Sequence, residues 1–192
     1  MQRILITGAN KGIGLAIAEA VLNEHADTFV YLGTRDIERG SAAAQGLPQD
    51  RVSVLQLDVT RHVRERSART SRRALRVGEQ CRHRPRQLVR GGMQTNILGL
   101  QRVCAAFLPL VERGGRIVNV TSAAGPSYVT DCPSAEKALL LDPAIDWPRL
   151  HAFVVESLQN APSSSGSDTY GVSKACANAY TVLLARDTPS CR

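Results

Sequence analysis

Residues Arg3-Ile-Leu-Ile-Thr7 run without a break into Gly8-Ala-Asn-Lys-Gly12-Ile-Gly14, and the reading of this junction decides the fold. The first part is short, apolar and β-branched, which reads as a buried strand. Beyond the glycines, Leu15, Ile17, Ala18, Val21 and Leu22 recur at roughly helical spacing among Glu19, Asn23 and Glu24, so a helix is expected over 12–24. Strand, glycine turn and helix together let a backbone bend sharply and set a helix N-terminus against a dinucleotide pyrophosphate. The glycines are spaced GxxxGxG, not the commoner GxGxxG, and an ordinary strand-to-helix turn has the same outline.

Working outward, strands are expected at 3–7, 28–33, 52–57 and 115–121, and helices at 12–24, 37–45, 94–112 and 168–186. This alternation is that of βαβ units and predicts a doubly wound parallel α/β sheet of Rossmann type, one domain over 1–192. Pro109 is expected to kink or shorten the third helix. From Pro126 to Gly166 the pattern is less regular: Asp142-Pro143, Trp147-Pro148 and Ser163-Ser-Ser-Gly166 are turn or linker signals, with a short helix expected over 148–158.

Near the other end, Tyr170-Gly-Val-Ser-Lys174 puts a phenol and an ammonium four residues apart, on one face of a helix. A cation beside a phenol favours its ionised form and suits it to proton transfer at a carbonyl. Alone, the spacing also arises by chance on amphipathic helices.

Taken together these segments resemble the short-chain dehydrogenase/reductase family, and the chain is identified as a member of it. Thr7-Gly8-Ala9-Asn10-Lys11-Gly12-Ile13-Gly14 matches the family's TGxxxGIG cofactor motif, and Tyr170 to Lys174 matches its YxxxK motif. Leu57-Asp58-Val59 resembles the strand end whose Asp contacts the adenine. Thr95-Asn96-Ile97-Leu98-Gly99 resembles the helix that carries the active-site Asn. Gly115-Arg-Ile-Val-Asn-Val-Thr-Ser122 resembles the strand that ends in the catalytic Ser. The resemblance implies a catalytic set of Asn96, Ser122, Tyr170 and Lys174. In it Tyr170 donates a proton to a carbonyl oxygen, Lys174 assists it and holds the nicotinamide ribose, and Ser122 orients the carbonyl. Asn96 fixes a helix irregularity and a water that links Lys174 to solvent. The substrate class implied is a small carbonyl compound: an aldehyde, ketone or quinone. The stretch of about 48 residues between Ser122 and Tyr170, with an insertion over 126–166, and the string Ala-Asn-Lys-Gly-Ile-Gly are similar to the monomeric carbonyl reductases, although oligomeric state is left open.

The resemblance covers residues 1–60 and 93–186. At 192 residues the chain suits one α/β domain, and the family's usual size implies roughly fifty more at the C-terminus, so the sheet is expected to be incomplete and the chain truncated there. Residues 61–90 carry eleven Arg against Glu65 and Glu79, a local charge of +9, so the formal +7 of the whole chain leaves −2 elsewhere. In a family member this region holds the apolar strand that ends in Asn-Asn-Ala-Gly, and the sequence lacks that motif. The best remnant of the strand is Gln87-Leu88-Val89, and the strand itself is expected to be missing from the centre of the sheet. Three readings of the 61–92 segment compete. It is a nucleic-acid footprint, which lacks interleaved aromatics; a solvated insertion; or the product of a shifted frame or misplaced splice junction, which accounts for the composition change and the lost strand together. A damaged, cofactor-binding remnant therefore stands beside an active reductase as a reading of the chain, and a basic binding protein acting through 61–90 is the remaining alternative.

Cofactor choice rests on two cations. Thr34-Arg35 ends the second strand, where an acidic residue would bond a ribose 2′-hydroxyl and an Arg accommodates the 2′-phosphate of NADP. Lys11 adds a charge in the glycine loop. NADP(H) is expected over NAD(H), with Asp36 the residue that argues the other way. The five cysteines have no CxxC spacing and are odd in number, which suits free thiols in a reducing compartment. The chain opens directly on a core strand and has no apolar run of about 20 residues, so neither a signal peptide nor a membrane span is expected and the cytoplasm is the default.

Overall fold

The structure, a computed structural model, describes residues 1–61, the backbone of 75–79, and residues 92–160 and 169–189. Two compact units are distinguished, one built from Met1–Arg82 and Arg102–Val120, the other from His83–Gln101 and Thr121–Pro189.

The first unit holds the sheet. Strands β1 (Gln2–Thr7), β2 (Thr28–Thr34), β3 (Val52–Gln56), β4 (Leu75–Glu79) and β5 (Ile117–Asn119) form one sheet in the order β3-β2-β1-β4-β5, every pair parallel. Successive β1 residues point to opposite faces, as a pleated strand requires. Ile6 packs with Ala18 and Leu22 of helix α1 (Gly12–Glu24) and Ala44 of α2 (Ile37–Ala44). Leu5 packs on the other face with Leu57 and with Val103 and Phe107 of α3 (Leu100–Phe107). Apolar helices on both faces of a parallel sheet make the doubly wound architecture.

A central strand expected to be missing is present. β4 pairs with β1 over Arg3↔Leu75 to Ile6↔Gly78 and with β5 over Val77↔Ile117 to Glu79↔Asn119. The expectation looked for a continuous apolar run, but the ladder is made by peptide N–H and C=O groups, which five residues supply whatever their side chains. Gln87-Leu88-Val89 and the rest of the Arg-rich segment, apart from Arg61 and β4, lie outside the described residues, as do Cys81 and Cys191.

The helix expected over 94–112 is instead a π-turn over Gln94–Gly99 in the second unit, then α3 and a 3₁₀ turn over Leu108–Leu110 that contains Pro109, which fall mostly in the first. The described residues of the second unit are mainly helical. In the stretch read as less regular after Pro126, the helix expected over 148–158 is present as α6 (Trp147–Gln159), and two that were not expected, α4 (Ala124–Asp131) and α5 (Ser134–Leu140), come before it; α7 (Thr169–Asp187) follows. Gly125 weakens α4 by propensity, and packing overrides that. Asp146 caps α6 by accepting from Arg149 N at 3.0 Å, and Trp147 meets the ring of Tyr180 on α7 edge-on at 5.4 Å. Arg186 donates to the carbonyls of Pro143 and Ile145 at 3.1 and 2.9 Å, which fastens the end of α7 to the turn before α6. Among the described residues no helix is long and apolar enough to cross a membrane.

Two expectations test this packing. An Ala exchanged for Gly in an open helix stabilises by up to about 1 kcal/mol, yet a Cβ on Gly14 would sit 2.8 Å from the Gly8 carbonyl oxygen and 3.1 Å from Ala9 Cα. Gly14→Ala is therefore expected to cost about 1–3 kcal/mol in urea unfolding, while Gly46→Ala, which meets nothing within 4 Å, is neutral or slightly stabilising. Burial, with the Glu136 charge adding to it, pushes the Cys176 thiol up to about 12, so at neutral pH it stays protonated. Iodoacetamide is expected to modify Cys176 only on unfolding, followed by mass spectrometry; rapid labelling of the native chain would contradict the packing of α7.

Candidate active site

The glycine loop leaves β1 at Thr7, which is buried, and turns through Gly8 and Gly12 at φ 64° and 58°. Those values lie in the left-handed region, where L side chains are strained. Ala9 is fully buried and its N–H donates to the Gly33 carbonyl at 3.1 Å, which ties the loop to β2. Asn10 is half-buried; Lys11, Gly12 and Ile13 are exposed. Lys11 stands at the N-cap of α1 without a side-chain cap bond, and the first turn of α1 contains no acidic residue. A Cβ on Gly12 would project into open space. Uncapped amides beside a space that only glycine leaves clear fit a pyrophosphate.

At the end of β2 the acidic residue that argued for NAD has other work. Asp36 caps α2, its Oδ1 accepting from Glu38 N at 3.1 Å and Arg39 N at 3.2 Å, and its Oδ2 pairs with Arg39 Nε at 3.1 Å. Helix N-terminus and guanidinium together take up its charge. Arg35 is exposed. Asp58, after β3, accepts from the Thr60 amide and hydroxyl at 3.0 and 2.7 Å. Burial alone would raise its pKa, but these bonds and the charges of Arg35 and Arg61 hold the carboxyl below the usual carboxylate range. Val59 is half-buried, and its carbonyl accepts from Arg102 Nη1 at 3.3 Å.

Asn96, Ser122, Tyr170 and Lys174 all lie in the second unit. Tyr170 and Lys174 occupy the first turns of α7, with the Lys174 ammonium 5.8 Å from the centroid of the Tyr170 ring. Lys174 is 5% exposed and Tyr170 46%, so the cation is enclosed while the phenol faces outward. Ser122 precedes α4, and its Oγ accepts from Ala124 N at 3.2 Å. A hydroxyl that accepts there keeps its proton for donation elsewhere. Its carbonyl accepts from Gly125 N at 3.1 Å, and Gly125 lies so close to α7 that a Cβ on it would stand 3.0 Å from Lys174 C and Ala175 N. The Ser122 turn is thus anchored on the backbone of the helix that carries Tyr170 and Lys174.

Asn96 sits within the π-turn, 5% exposed. Its Nδ2 donates to Ser173 Oγ at 2.9 Å, and Ser173 Oγ in turn donates to the Tyr170 carbonyl at 2.8 Å. Sequence reasoning passed over Ser173 and Arg39. Ser173 stands inside the YxxxK spacing as an unremarkable helix residue, and its partner is 77 positions away. Arg39 lies one helical turn beyond Asp36, a spacing that could have flagged it. No cluster of potential metal ligands occurs among the described residues.

The family model for short chain dehydrogenase matches residues 2–138. Carbonyl reductase (NADPH) 1 of Sus scrofa is 29% identical over 209 residues, which cover 95% of this chain and 70% of the relative. The Homo sapiens protein of the same name is 30% identical over 193 residues, covering 88% and 69%. Among solved structures, menthone neomenthol reductase from Mentha piperita superposes with a TM-score of 0.84 at 23% identity, over 100% of this chain and 87% of that one. Salutaridine reductase from Papaver somniferum superposes with a TM-score of 0.81, also at 23% identity, over 100% and 84%. At those identities the structures establish the fold alone. The family match over residues 2–138 goes further: the chain belongs to the short chain dehydrogenase family and is an oxidoreductase.

Proposed function

We propose that this chain reduces the carbonyl group of small aldehydes, ketones or quinones with NADP(H) as cofactor and Tyr170 as proton donor. One observation carries the proposal: an enclosed Lys174 ammonium stands over the ring of an outward-facing Tyr170. When bound, the reduced nicotinamide supplies hydride to the carbonyl carbon. Tyr170 gives its hydroxyl proton to the carbonyl oxygen, and Lys174 stabilises the phenolate that remains. Ser122 donates its free hydroxyl proton to the same oxygen as negative charge develops there, a preorganised bond that strengthens in the transition state. The side-chain amide of Asn96, spent on Ser173, holds the π-turn, and its backbone serves the water path to Lys174 that the family resemblance implies.

NADP(H) over NAD(H) is supported by the engagement of Asp36 as the α2 cap and by Arg35 exposed beside it, with Lys11 at the start of α1. The mammalian relatives are named as NADPH enzymes, which agrees. Thr7, Gly8, Asn10, Gly12, Ile13 and Gly14 form the rest of the proposed cofactor loop, and Asp58 and Val59 the adenine side.

Oxidation of NADPH in the presence of an activated aldehyde or quinone, followed by loss of nicotinamide absorbance, tests the reaction. Tyr170→Phe is expected to lower kcat by about 10²–10⁴-fold with the fold retained by circular dichroism; a folded wild-type chain without turnover would overturn the proposal. Arg35→Ala is expected to weaken NADPH binding by about 10–100-fold, the loss of one charge-assisted contact, and to leave NADH binding within about three-fold. Equal losses for both cofactors would remove Arg35 from the 2′-phosphate site.

A further inference from the structure

We infer that Ser173 is a positioning residue, a hydroxyl latch that locks the π-turn at Asn96 to the first turn of the helix bearing Tyr170 and Lys174. The inference rests on the reductase reading for its functional consequence and on geometry for its existence. A serine inside a helix often bonds back to a carbonyl three or four residues earlier, and the 2.8 Å bond to the Tyr170 carbonyl is of that kind. What sets Ser173 apart is its second bond, from Asn96 Nδ2 at 2.9 Å, across 77 positions of sequence. Ser173 is 0% and Asn96 5% exposed, so neither can exchange its partner for water.

The polarity of the relay follows from the groups. An amide nitrogen only donates, and Ser173 has a single proton, which it commits to Tyr170. Donation therefore runs one way, from Asn96 through Ser173 to the Tyr170 backbone, and each bond polarises the next. A π-turn is a rare insertion in a helix, and the Asn96 amide has its Oδ1 buried without a partner among the described residues, so its Nδ2 bond to Ser173 is the side chain's anchor there. Without the Ser173 hydroxyl, Asn96 loses that anchor and Tyr170 loses a restraint on its own backbone, four residues from Lys174.

The full chain is compared as wild type, Ser173→Ala and Ser173→Thr. Amide exchange by mass spectrometry is read over residues 94–99 and 169–174. Ser173→Ala is expected to speed exchange in both segments together by about ten-fold, the loss of one buried bond, and Ser173→Thr, which keeps the hydroxyl, to restore slow exchange. Acceleration confined to 169–174 would mean the hydroxyl serves its own helix only, and unchanged exchange at 94–99 would sink the latch. Steady-state kinetics supply the functional arm: kcat falls about 10–100-fold in Ser173→Ala while the KM for NADPH stays within about two-fold, and Ser173→Thr recovers most of the loss. A rise in KM at constant kcat, or no recovery by Thr, would overturn the positioning role. A wild-type chain without turnover would defeat the reductase reading alone, and the exchange pattern would still decide whether the latch exists.

Discussion

Both edges of Gln2–Thr7 must be paired, and that requirement governs the first unit. Leu5 and Ile6 are buried on opposite faces of β1, so no water can reach the peptide groups between them, and an unpaired amide there would cost as much as a lost hydrogen bond. β2 takes one edge and β4 the other. Once β1 is fixed in register, the loop that follows has little choice: Thr7 is held opposite Gly33, and the Ala9 amide reaches the Gly33 carbonyl. The left-handed glycines and the open start of α1 are set by backbone pairing one strand away. The glycine loop is thus as well positioned as the sheet beneath it.

This also explains what the sequence could disclose. β1, α1 and β2 announce themselves through apolar residues that reach the core, and α1 begins and ends where the spacing predicts. β4 does not. Its sequence LRVGE sits in an Arg-rich setting, and a strand whose necessity is topological leaves a faint compositional trace. Helices α4 and α5 were hidden for a related reason. Their cohesion comes from contacts that only the folded chain makes, such as Gly125 against the α7 backbone and the Tyr128 hydroxyl donating to Glu136. Asn96, Ser122, Tyr170 and Lys174 were legible through their motifs, whereas Ser173 was not, since its significance lies in a partner far along the chain. Asp36 was legible as an acidic residue, but only the fold shows that its carboxylate is engaged as the cap of α2.

Helix α7 carries the proposed chemistry under an unusual constraint. From Gly171 to Ala177 every residue is buried, and the side chains are mostly small, which lets α4 approach backbone to backbone at Gly125. In that surrounding Lys174 keeps an ammonium at 5% exposure, a placement that costs several kcal/mol unless the charge is well partnered. The asymmetry between Lys174 and Tyr170 gives the placement its sense. Two exposed groups at this spacing would be screened by solvent and would influence one another weakly. An enclosed cation is held in place, while the phenol is 46% exposed and in the proposed reaction is open to a substrate. Tight packing around Lys174 also favours a compact ammonium over a broad guanidinium, and an arginine here would carry the same charge without fitting the same space. The proposed chemistry therefore rests on one feature, a buried charge 5.8 Å from the centroid of a single outward-facing ring.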